Sequence, residues 1–305
     1  MPIHEADPWR LQYFAGVDCP PHVHVPTEDS DAWSWNPDHR WVYDKLAVAL
    51  SQGLKAAPHG VPPATYPGFS QPIVTQRGMG VGSRPIHSAN EYRSGLTAGH
   101  FWTELLEGEH VSTDAALVDG EPRWWRHATG VAGPGGTFDH WVVHAAPRPG
   151  LEDYCGDWSR RSLRGYTGMV NFETIGGRII EVHLRFADQW PDLYGAGWVE
   201  ALVDLHESGA WRFADEDRAT GYSVVLFAPH GGRPRHPAPG TIDAVRGRPG
   251  ISSVQITFHE DRDPALHAMP PGGFRLAIVN CRDLRAGLDA RAILAAAFDT
   301  GRAAT

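Results

Sequence analysis

The chain has 305 residues, of which 42% are hydrophobic and 21% charged, and its formal net charge is −9. This length allows two or three packed units, and the composition is that of an ordinary globular protein. The acidic balance argues against a nucleic-acid-binding function, because phosphate contacts need a basic footprint.

The sequence lacks the patterns that would predict a membrane span or a signal peptide. The sequence contains no run of about 18 uncharged apolar residues, and residues 1–7 lack a basic region followed by an apolar one. We therefore expect no membrane span, no signal peptide and a cytoplasmic location. The only lysines are Lys45 and Lys55, so a phosphate site would rely chiefly on arginine and backbone amides.

The first half of the chain is divided by its periodicity and turn signals. Residues 1–40 are rich in Pro, His, Asp and Trp, and we expect an irregular lead-in with at most a short strand. Apolar residues recur at helical spacing from Trp41 to Leu54, which predicts a helix carrying Lys45. The next predicted elements are a strand at 69–74, a glycine loop at 77–83, a helical turn at 90–95, strands at 101–106, 111–118, 123–127 and 141–145, and a helix at 151–164.

A hairpin with two polar-bearing strands is predicted between residues 165 and 186. Side chains alternate across a sheet, so the length of the turn decides which residues share a face. A two-residue turn, Gly176-Gly177, would put Glu173 and Glu181 on opposite faces, whereas a three-residue loop ending at Arg178 puts them on one face. The longer loop gives a polar face of Asn171, Glu173, Glu181, His183 and Arg185, and an apolar face of Val170, Phe172, Thr174, Ile180, Val182, Leu184 and Phe186. This cleaner separation favours the three-residue loop.

The two glutamates of this hairpin suggest a cation site. Carboxylates that approach within a few ångströms repel each other unless one is protonated or a cation lies between them. Oxygen ligands suit Mg²⁺ or Mn²⁺. The alternative is a solvated sheet face on which Glu and Arg form weak surface ion pairs.

The sequence pattern of the chain changes beyond residue 215. A helix is predicted at 198–208, followed by a strand beginning at Tyr222, a loop at 229–240, strands at 252–258 and 274–280, and a helix at 286–298. We expect three regions: an irregular segment at 1–40, a nucleotide and metal domain at 41–212, and a β-rich domain at 213–305.

The order of these motifs resembles the ATP-grasp superfamily. Between residues 41 and 208 the sequence has a helix with a lysine, a strand, a glycine loop, a strand with Glu-x-x-x-Gly at Glu104, and the acidic hairpin. The resemblance implies an α+β fold in which two subdomains clamp ATP, here followed by a small β-rich C-terminal domain. It also implies a ligase that activates a small-molecule carboxylate as an acyl phosphate for attack by an amine or similar nucleophile. Whether such a ligase forms a homodimer is left open.

The resemblance assigns the hairpin residues to metal and phosphate. Glu173 and Glu181 would hold Mg²⁺ or Mn²⁺, together with His183, which stands where the family usually has Asn. Arg185 would contact the transferred phosphate, and Lys45 would bind phosphate from its early helix. Imidazole is a poorer Mg²⁺ ligand than an amide oxygen, so His183 leaves the identity of the metal open.

The resemblance also assigns residues to the nucleotide. Gln71 replaces the second nucleotide-binding lysine, and Arg77 or Arg84 is expected to compensate for the missing charge. The loop containing Arg77, Gly78, Gly80, Gly82 and Ser83 would cover the phosphates through backbone N–H groups. Glu104 would lie near the adenine, and either Glu109 or His110 would face the ribose.

Two further functions fit parts of the sequence. Gln71, His110 and His183 depart together from the family's chemistry, which would suit a degenerate ATP-grasp protein that binds nucleotide or a partner without phosphoryl transfer. The 17 histidines and the Glu/Glu/His cluster would suit a metal-dependent hydrolase unrelated to ATP. Neither alternative is excluded by the residues alone.

Overall fold

A computed structural model describes residues 5, 7–75, 80–230, 232–263, 267, 270 and 272–298. Its helices are α1 (Pro8–Leu11), α2 (Asp29–Trp35), α3 (Lys45–Ser51), α4 (Ala89–Ser94), α5 (Pro149–Ser162), α6 (Trp198–Ser208), α7 (Pro239–Arg246) and α8 (Leu284–Ala297). Its strands are β1 (Ala56–Pro58), β2 (Gly68–Pro72), β3 (Arg84–Ile86), β4 (His100–Glu104), β5 (His110–Val118), β6 (Glu121–Ala132), β7 (Phe138–Val143), β8 (Gly168–Ile175), β9 (Arg178–His183), β10 (Gly221–Ala228), β11 (Ile251–Ile256) and β12 (Phe274–Cys281). This mixture of helices and antiparallel strands confirms the α+β class. Within the described ranges, no helix is both long and apolar enough to cross a membrane.

Contacts divide the chain into two units that are discontinuous in sequence. The first unit comprises residues 1–25, 126–147 and 187–305, and the second comprises 26–125 and 148–186. The contiguous boundaries expected from the sequence, after residues 40 and 212, stay a prediction.

The second unit contains two sets of strands and one main core. A four-stranded sheet has the order β1-β4-β2-β3, and other strands of this unit run in the order β6-β5-β8-β9. The main core lies where α2, α3 and α5 supply apolar side chains to β5, β8 and β9; its members include Ala32, Val48, Trp158, Phe172, Ile179, Val182 and Leu184. Burying each large side chain contributes roughly 1.5–3 kcal/mol.

Helix α3 is shorter than the helix predicted over residues 41–54. Residues Arg40–Tyr43 form a separate 3₁₀ turn, and Asp44 then accepts a hydrogen bond from the backbone N–H of Ala47 at 2.9 Å. An N-cap residue needs a non-helical backbone, so the cap at Asp44 prevents one continuous helix. Lys45 is therefore the first residue of α3, and its side chain is buried.

The turn between β8 and β9 differs from the predicted three-residue loop. Ile175 pairs with Arg178, so the turn is the two-residue Gly176-Gly177, in which both glycines have positive φ. The register then shifts between Glu173 and Thr174, because β9 contains one extra residue there. This bulge restores the predicted pairing of Glu173 with Glu181.

The bulge also changes which isoleucine enters the core. Thr174 pairs with Ile179, which is fully buried, whereas Ile180 is only partly buried. The sequence-based assignment of Ile180 to the apolar face was therefore wrong. The other six residues assigned to that face are buried as expected: Val170, Phe172, Thr174, Val182, Leu184 and Phe186.

Besides the four-residue helix α1, two helices form where the sequence predicted none. Helix α2 lies in the segment expected to be irregular, and it buries Ala32 in the core of the second unit. Helix α7 begins with Pro239, which was expected to belong to a loop, and it buries Val245. Both helices are short, so tertiary packing rather than residue propensity stabilises them.

The first unit has its own sheet and core. Its strands run in the order β11-β12-β10-β7-β6, all antiparallel where their register is defined. Helices α7 and α8 pack against this sheet, and the core includes Val224, Val254, Phe274, Ala277, Val279, Ala290 and Leu294. The C-terminal part of the chain is thus rich in strands, as predicted.

Candidate functional site

A row of polar side chains lies on one face of three neighbouring strands of the second unit. Ser112 of β5 pairs with Glu173 of β8, which pairs with Glu181 of β9. Two residues along, Asp114 pairs with Asn171, which pairs with His183. Because side chains two apart point the same way, the row also includes His110 and Arg185. We call this set the polar row: His110, Ser112, Asp114, Asn171, Glu173, Glu181, His183 and Arg185.

Glu173 is held by a histidine from β5. The Nε2 atom of His110 lies 2.5 Å from Oε2 of Glu173. Burial raises the pKa of Glu173, but the hydrogen bond and charge of His110 outweigh it and leave this pKa below its usual value. Burial lowers the pKa of His110, yet Glu173 offsets this and the net shift is upward. The two shifts favour a carboxylate beside an imidazolium.

Glu181 is held by the lysine of helix α3. The Nζ atom of Lys45 lies 3.0 Å from Oε1 of Glu181, and the Lys45 side chain is only 6% exposed. His183 approaches the same carboxylate oxygen with its Nε2 atom at 3.9 Å. Both neighbouring glutamates are therefore compensated by basic side chains from outside β8.

Asp29 of helix α2 joins the other end of the polar row. Its Oδ2 atom accepts a hydrogen bond from Arg185 at 2.8 Å, and its Oδ1 atom lies 2.9 Å from Nδ1 of His183. The hydroxyl of Tyr43 donates to the same Oδ1 at 3.2 Å. Burial raises the pKa of Asp29, but the Arg185 and His183 charges override it and hold this pKa far below its ordinary value.

Asn171 fixes the centre of the row. Its amide nitrogen donates to Ser112 Oγ at 2.8 Å and to Asp114 Oδ1 at 2.7 Å. All three side chains are buried. The nitrogen must face β5 to reach both acceptors, so the amide oxygen is directed away from them.

Three of the residues expected to hold the nucleotide lie on the four-stranded sheet: Gln71, Arg84 and Glu104. Gln71 is on β2 opposite Phe101 and is 9% exposed. Arg84, one of the two arginines expected to replace the missing lysine charge, donates instead to the carbonyl of Gly95 at the end of α4. Arg77, the other arginine, lies outside the described residues, as does Gly78.

The described part of the predicted glycine loop forms a turn. Gly80 and Gly82 have φ of 67° and 80°, and the Ser83 N–H donates to the Gly80 carbonyl at 3.0 Å. A Cβ on Gly82 would lie 3.3 Å from the Pro72 ring. The positive φ therefore favours glycine at position 82, and a Cβ there would also lie tightly against Pro72.

Two glutamates assigned to the nucleotide contact other parts of the second unit. Glu104, at the end of β4, accepts a hydrogen bond from the Lys55 backbone N–H at 3.1 Å. Glu109 forms an ion pair with Arg148 at 2.8 Å, next to the start of α5. Their roles toward adenine and ribose stay predictions, as do those of the other assigned site residues.

A serine and a histidine on the four-stranded sheet have the spacing of a nucleophile and its base. Ser70 Oγ lies 3.0 Å from His59 Nε2, but the Thr97 backbone N–H donates to His59 Nδ1 at 3.0 Å. An imidazole that accepts at Nδ1 carries its proton on Nε2, so His59 donates to Ser70 rather than accepting its proton. Burial also lowers the pKa of His59. This pair is structural.

Sequence reasoning missed Asp29, Ser112 and Asp114. Ser112 and Asp114 alternate along the strand predicted at 111–118, but both appeared beside apolar neighbours without a spacing typical of a motif. Asp29 lies in a segment without clear periodicity. It is more than 150 residues from His183 and Arg185, so only the fold brings these side chains together.

Two carboxylates of the polar row were assigned to a divalent cation from the sequence. Glu173 and Glu181 lie side by side in register, with side-chain exposures of 20% and 17%. Each carboxylate has a basic partner, Lys45 for Glu181 and His110 for Glu173, and the polar row is not among the groups of three or more His, Cys, Asp or Glu side chains of the described residues that converge closely enough to hold a metal ion. Metal binding by Glu173, Glu181 and His183 stays a prediction. Carboxylate oxygens are the donors that Mg²⁺ and Mn²⁺ prefer.

Comparison with known proteins gives structural relatives. No protein-family profile matches the sequence, and no curated protein matches it. A phosphoribosylamine–glycine ligase from Thermotoga maritima superposes with a TM-score of 0.57 at 14% identity, covering 85% of this chain and 78% of that one. N5-carboxyaminoimidazole ribonucleotide synthetase from the same organism gives a TM-score of 0.57 at 11% identity, covering 96% and 78%. An L-amino acid ligase from Bacillus licheniformis gives 0.53 at 12%, covering 83% and 70%.

The structural similarity to these proteins tests the fold that the sequence resemblance implied. Each covers most of both chains, although the identities are too low to carry an activity. The lysine helix, the four-stranded sheet and the acidic hairpin occur in the expected order. The chain therefore has the fold of the ATP-grasp superfamily.

Proposed function

We propose that this protein is an ATP-dependent ligase that joins a carboxylate to an amine or similar nucleophile. A carboxylate oxygen of the substrate attacks the γ-phosphorus of ATP, the bond to ADP breaks, and an acyl phosphate forms. The nucleophile then attacks the acyl carbon and phosphate leaves. The structural relatives described above are named as ligases and a synthetase, and a further structure with a TM-score of 0.56 at 10% identity is a carboxyaminoimidazole ribonucleotide synthase in complex with ATP. These names support this kind of reaction.

The observation that carries this proposal is the alignment of Glu173 with Glu181 between two basic side chains. Their strands place the carboxylates next to each other, and Lys45 lies 3.0 Å from one while His110 lies 2.5 Å from the other. On a solvated sheet face, ion pairs would form between exposed side chains, whereas Lys45 is buried beside Glu181. Two adjacent carboxylates can hold Mg²⁺ or Mn²⁺, which would neutralise the phosphates of a bound nucleotide.

The basic residues would act on the phosphates by charge and position. The ammonium group of Lys45 is buried beside Glu181. If a phosphate took the place of Glu181 as its partner, this ammonium group would offset the negative charge of the phosphate. Arg185 can present a planar pair of donors to the transferred phosphate while Asp29 fixes its orientation. Phosphoryl transfer needs little more from a protein than such positioning and charge stabilisation.

Calorimetric titration of ATP in the presence of Mg²⁺ or Mn²⁺ tests the site. We expect metal-dependent binding that Glu181→Gln weakens about tenfold or more, because a charged ligand to the cation is lost. Glu121→Gln is the matched control, since Glu121 forms only an exposed ion pair with Arg160. Gln71→Lys should strengthen binding by restoring a positive charge. Equal affinity in the Glu181→Gln variant and the unchanged protein would contradict the assignment.

A turnover assay tests the reaction. ADP should appear only when ATP, a carboxylate and an amine are present together, and Glu181→Gln should abolish it while the protein stays folded. Coupled detection of ADP across a panel of amino acids and other carboxylates measures this. An unchanged rate in the variant would refute the role of Glu181.

A degenerate nucleotide-binding protein is the second candidate. It is favoured by the contacts of Asp29, which already occupies Arg185 and His183, and by the neutral Gln71 on β2. Metal-dependent ATP binding without ADP formation across the same panel would favour this candidate. ATP consumption that depends on Glu181 would exclude it.

A further inference from the structure

Two carboxylates at the polar row, Asp29 and Glu181, are held to very different degrees by the protein. Asp29 is 7% exposed, and three hydrogen-bonding side chains use both of its oxygens. Glu181 is 17% exposed, and its one close contact is the 3.0 Å ion pair between its Oε1 atom and Nζ of Lys45. The Nε2 atom of His183 lies 3.9 Å from the same oxygen, which is too far for a hydrogen bond, and no other described residue forms a hydrogen bond or an ion pair with this carboxylate. Glu181 can therefore turn away from its partner more easily than Asp29 can.

Lys45 has more hydrogen-bond donors than the described residues have acceptors for it. A protonated lysine carries three N–H bonds, and Glu181 is the only described acceptor at its Nζ atom. The Lys45 side chain is 6% exposed, so water reaches little of it. Its backbone N–H donates to the Ile73 carbonyl at 2.9 Å, and the residue begins α3, which fixes the base of the side chain. Lys45 is thus a positioned cation with donors that the described residues do not use.

A phosphate ion and the Glu181 carboxylate would exclude each other at Lys45. Glu181 is the more exposed member of the pair, so an approaching anion meets a like charge before it reaches the ammonium group. A buried ammonium group without a counter-charge is strongly destabilising, so Lys45 has to gain one anion when it loses the other. A phosphate ion offers several oxygens, which could also accept from the N–H bonds that Glu181 leaves unused.

We propose that Glu181 is an internal competitor of phosphate, which blocks Lys45 in the nucleotide-free protein and lets phosphate bind only after its carboxylate has turned away. Because Lys45 is the phosphate-binding residue of the proposed ligase, this regulation rests on the proposed function. A divalent cation on Glu181 would favour the state in which Lys45 is open to phosphate. Cation and phosphate binding would then strengthen each other by the same factor, and phosphate binding without a cation would be weak.

Calorimetric titration of sodium phosphate into the full chain, with EDTA and without nucleotide, tests this competition. We expect the unchanged chain to bind phosphate weakly and the Glu181→Gln variant to bind it about tenfold or more tightly, because a neutral amide neither repels phosphate nor neutralises Lys45. Glu121→Gln changes the net charge equally at an exposed ion pair with Arg160, and it should bind phosphate as the unchanged chain does. The gain should disappear when Lys45→Met is added to Glu181→Gln.

A second variant and thermal melts cover the case in which Glu181→Gln folds poorly. Glu181→Asp keeps the negative charge but is one methylene shorter, so it reaches Lys45 less well, and its phosphate affinity should lie between those of the unchanged chain and Glu181→Gln. Phosphate should raise the melting temperatures of both variants more than that of the unchanged chain. Equal phosphate affinity in all three proteins would overturn the proposal, as would a gain that persists when Lys45 is replaced by Met.

The same substitution separates this competition from the ligase assignment, because the two predict effects of opposite sign. Glu181→Gln should weaken metal-dependent ATP binding, whereas it should strengthen phosphate binding without metal. A gain in phosphate binding without a loss of metal-dependent ATP binding would support the competition and contradict the metal role of Glu181. A loss of metal-dependent ATP binding without a gain in phosphate binding would overturn the competition and leave the ligase assignment in place.

Discussion

Asp29 is expected to be a structural support of the polar row, and replacing it by asparagine tests this. The substitution keeps the shape of the side chain but removes the charge that contacts Arg185 at 2.8 Å and His183 at 2.9 Å. Asp29 is 7% exposed, so its partners would lose a buried counter-charge. Removing one partner of a buried ion pair costs about 3–5 kcal/mol, and the isosteric amide keeps one acceptor, so we expect about 3 kcal/mol.

Urea denaturation at pH 7, followed by tryptophan fluorescence and circular dichroism, measures this loss. With a slope of about 1–3 kcal/mol per molar urea, the midpoint for the Asp29→Asn variant should fall by roughly 1 M or more. Asp38→Asn is the matched control, because Asp38 is exposed just after α2 and its substitution should change stability by less than about 0.5 kcal/mol. Equal midpoints for the two variants would refute the reasoning.

Two further predictions concern the hairpin turn and the pH dependence of stability. Gly176→Ala should destabilise the protein more than Gly177→Ala, because both glycines have positive φ but only a Cβ on Gly176 would overlap the Glu107 carbonyl oxygen. Thermal melts of the two variants give the difference, and equal melting temperatures would contradict the close approach of Gly176 to Glu107. Burial lowers the pKa of His206 to about 4. Between pH 7 and pH 5 this histidine gains a proton in the unfolded chain but not in the folded one, so the free energy of unfolding should fall by about 2 kcal/mol. His206→Gln should remove this part of the loss in urea titrations at the two pH values, and an unchanged pH dependence would show that His206 is not buried as a neutral group.

The alternation of residues in the sequence determined the two faces of the hairpin. The spacing of Glu173, Glu181 and His183 relative to their apolar neighbours predicted one polar face, and the pairing of Glu173 with Glu181 is confirmed. The ordered motifs likewise predicted the ATP-grasp fold, which the structural relatives confirm. These features follow from local periodicity, which each segment carries in its own residues.

Only the tertiary structure determined the type of the hairpin turn and the long-range contacts of Asp29 and Asn280. The Gly176-Gly177 turn and the bulge in β9 together pair Glu173 with Glu181, as a three-residue loop would. The pattern of side chains therefore could not distinguish the two turns, whereas the burial of Ile179 in the structure does. Asp29 reaches Arg185 across 156 residues of chain, and Asn280 reaches Asp192 across 88. Such contacts depend on how distant segments pack, and no local propensity or spacing in the sequence encodes that distance.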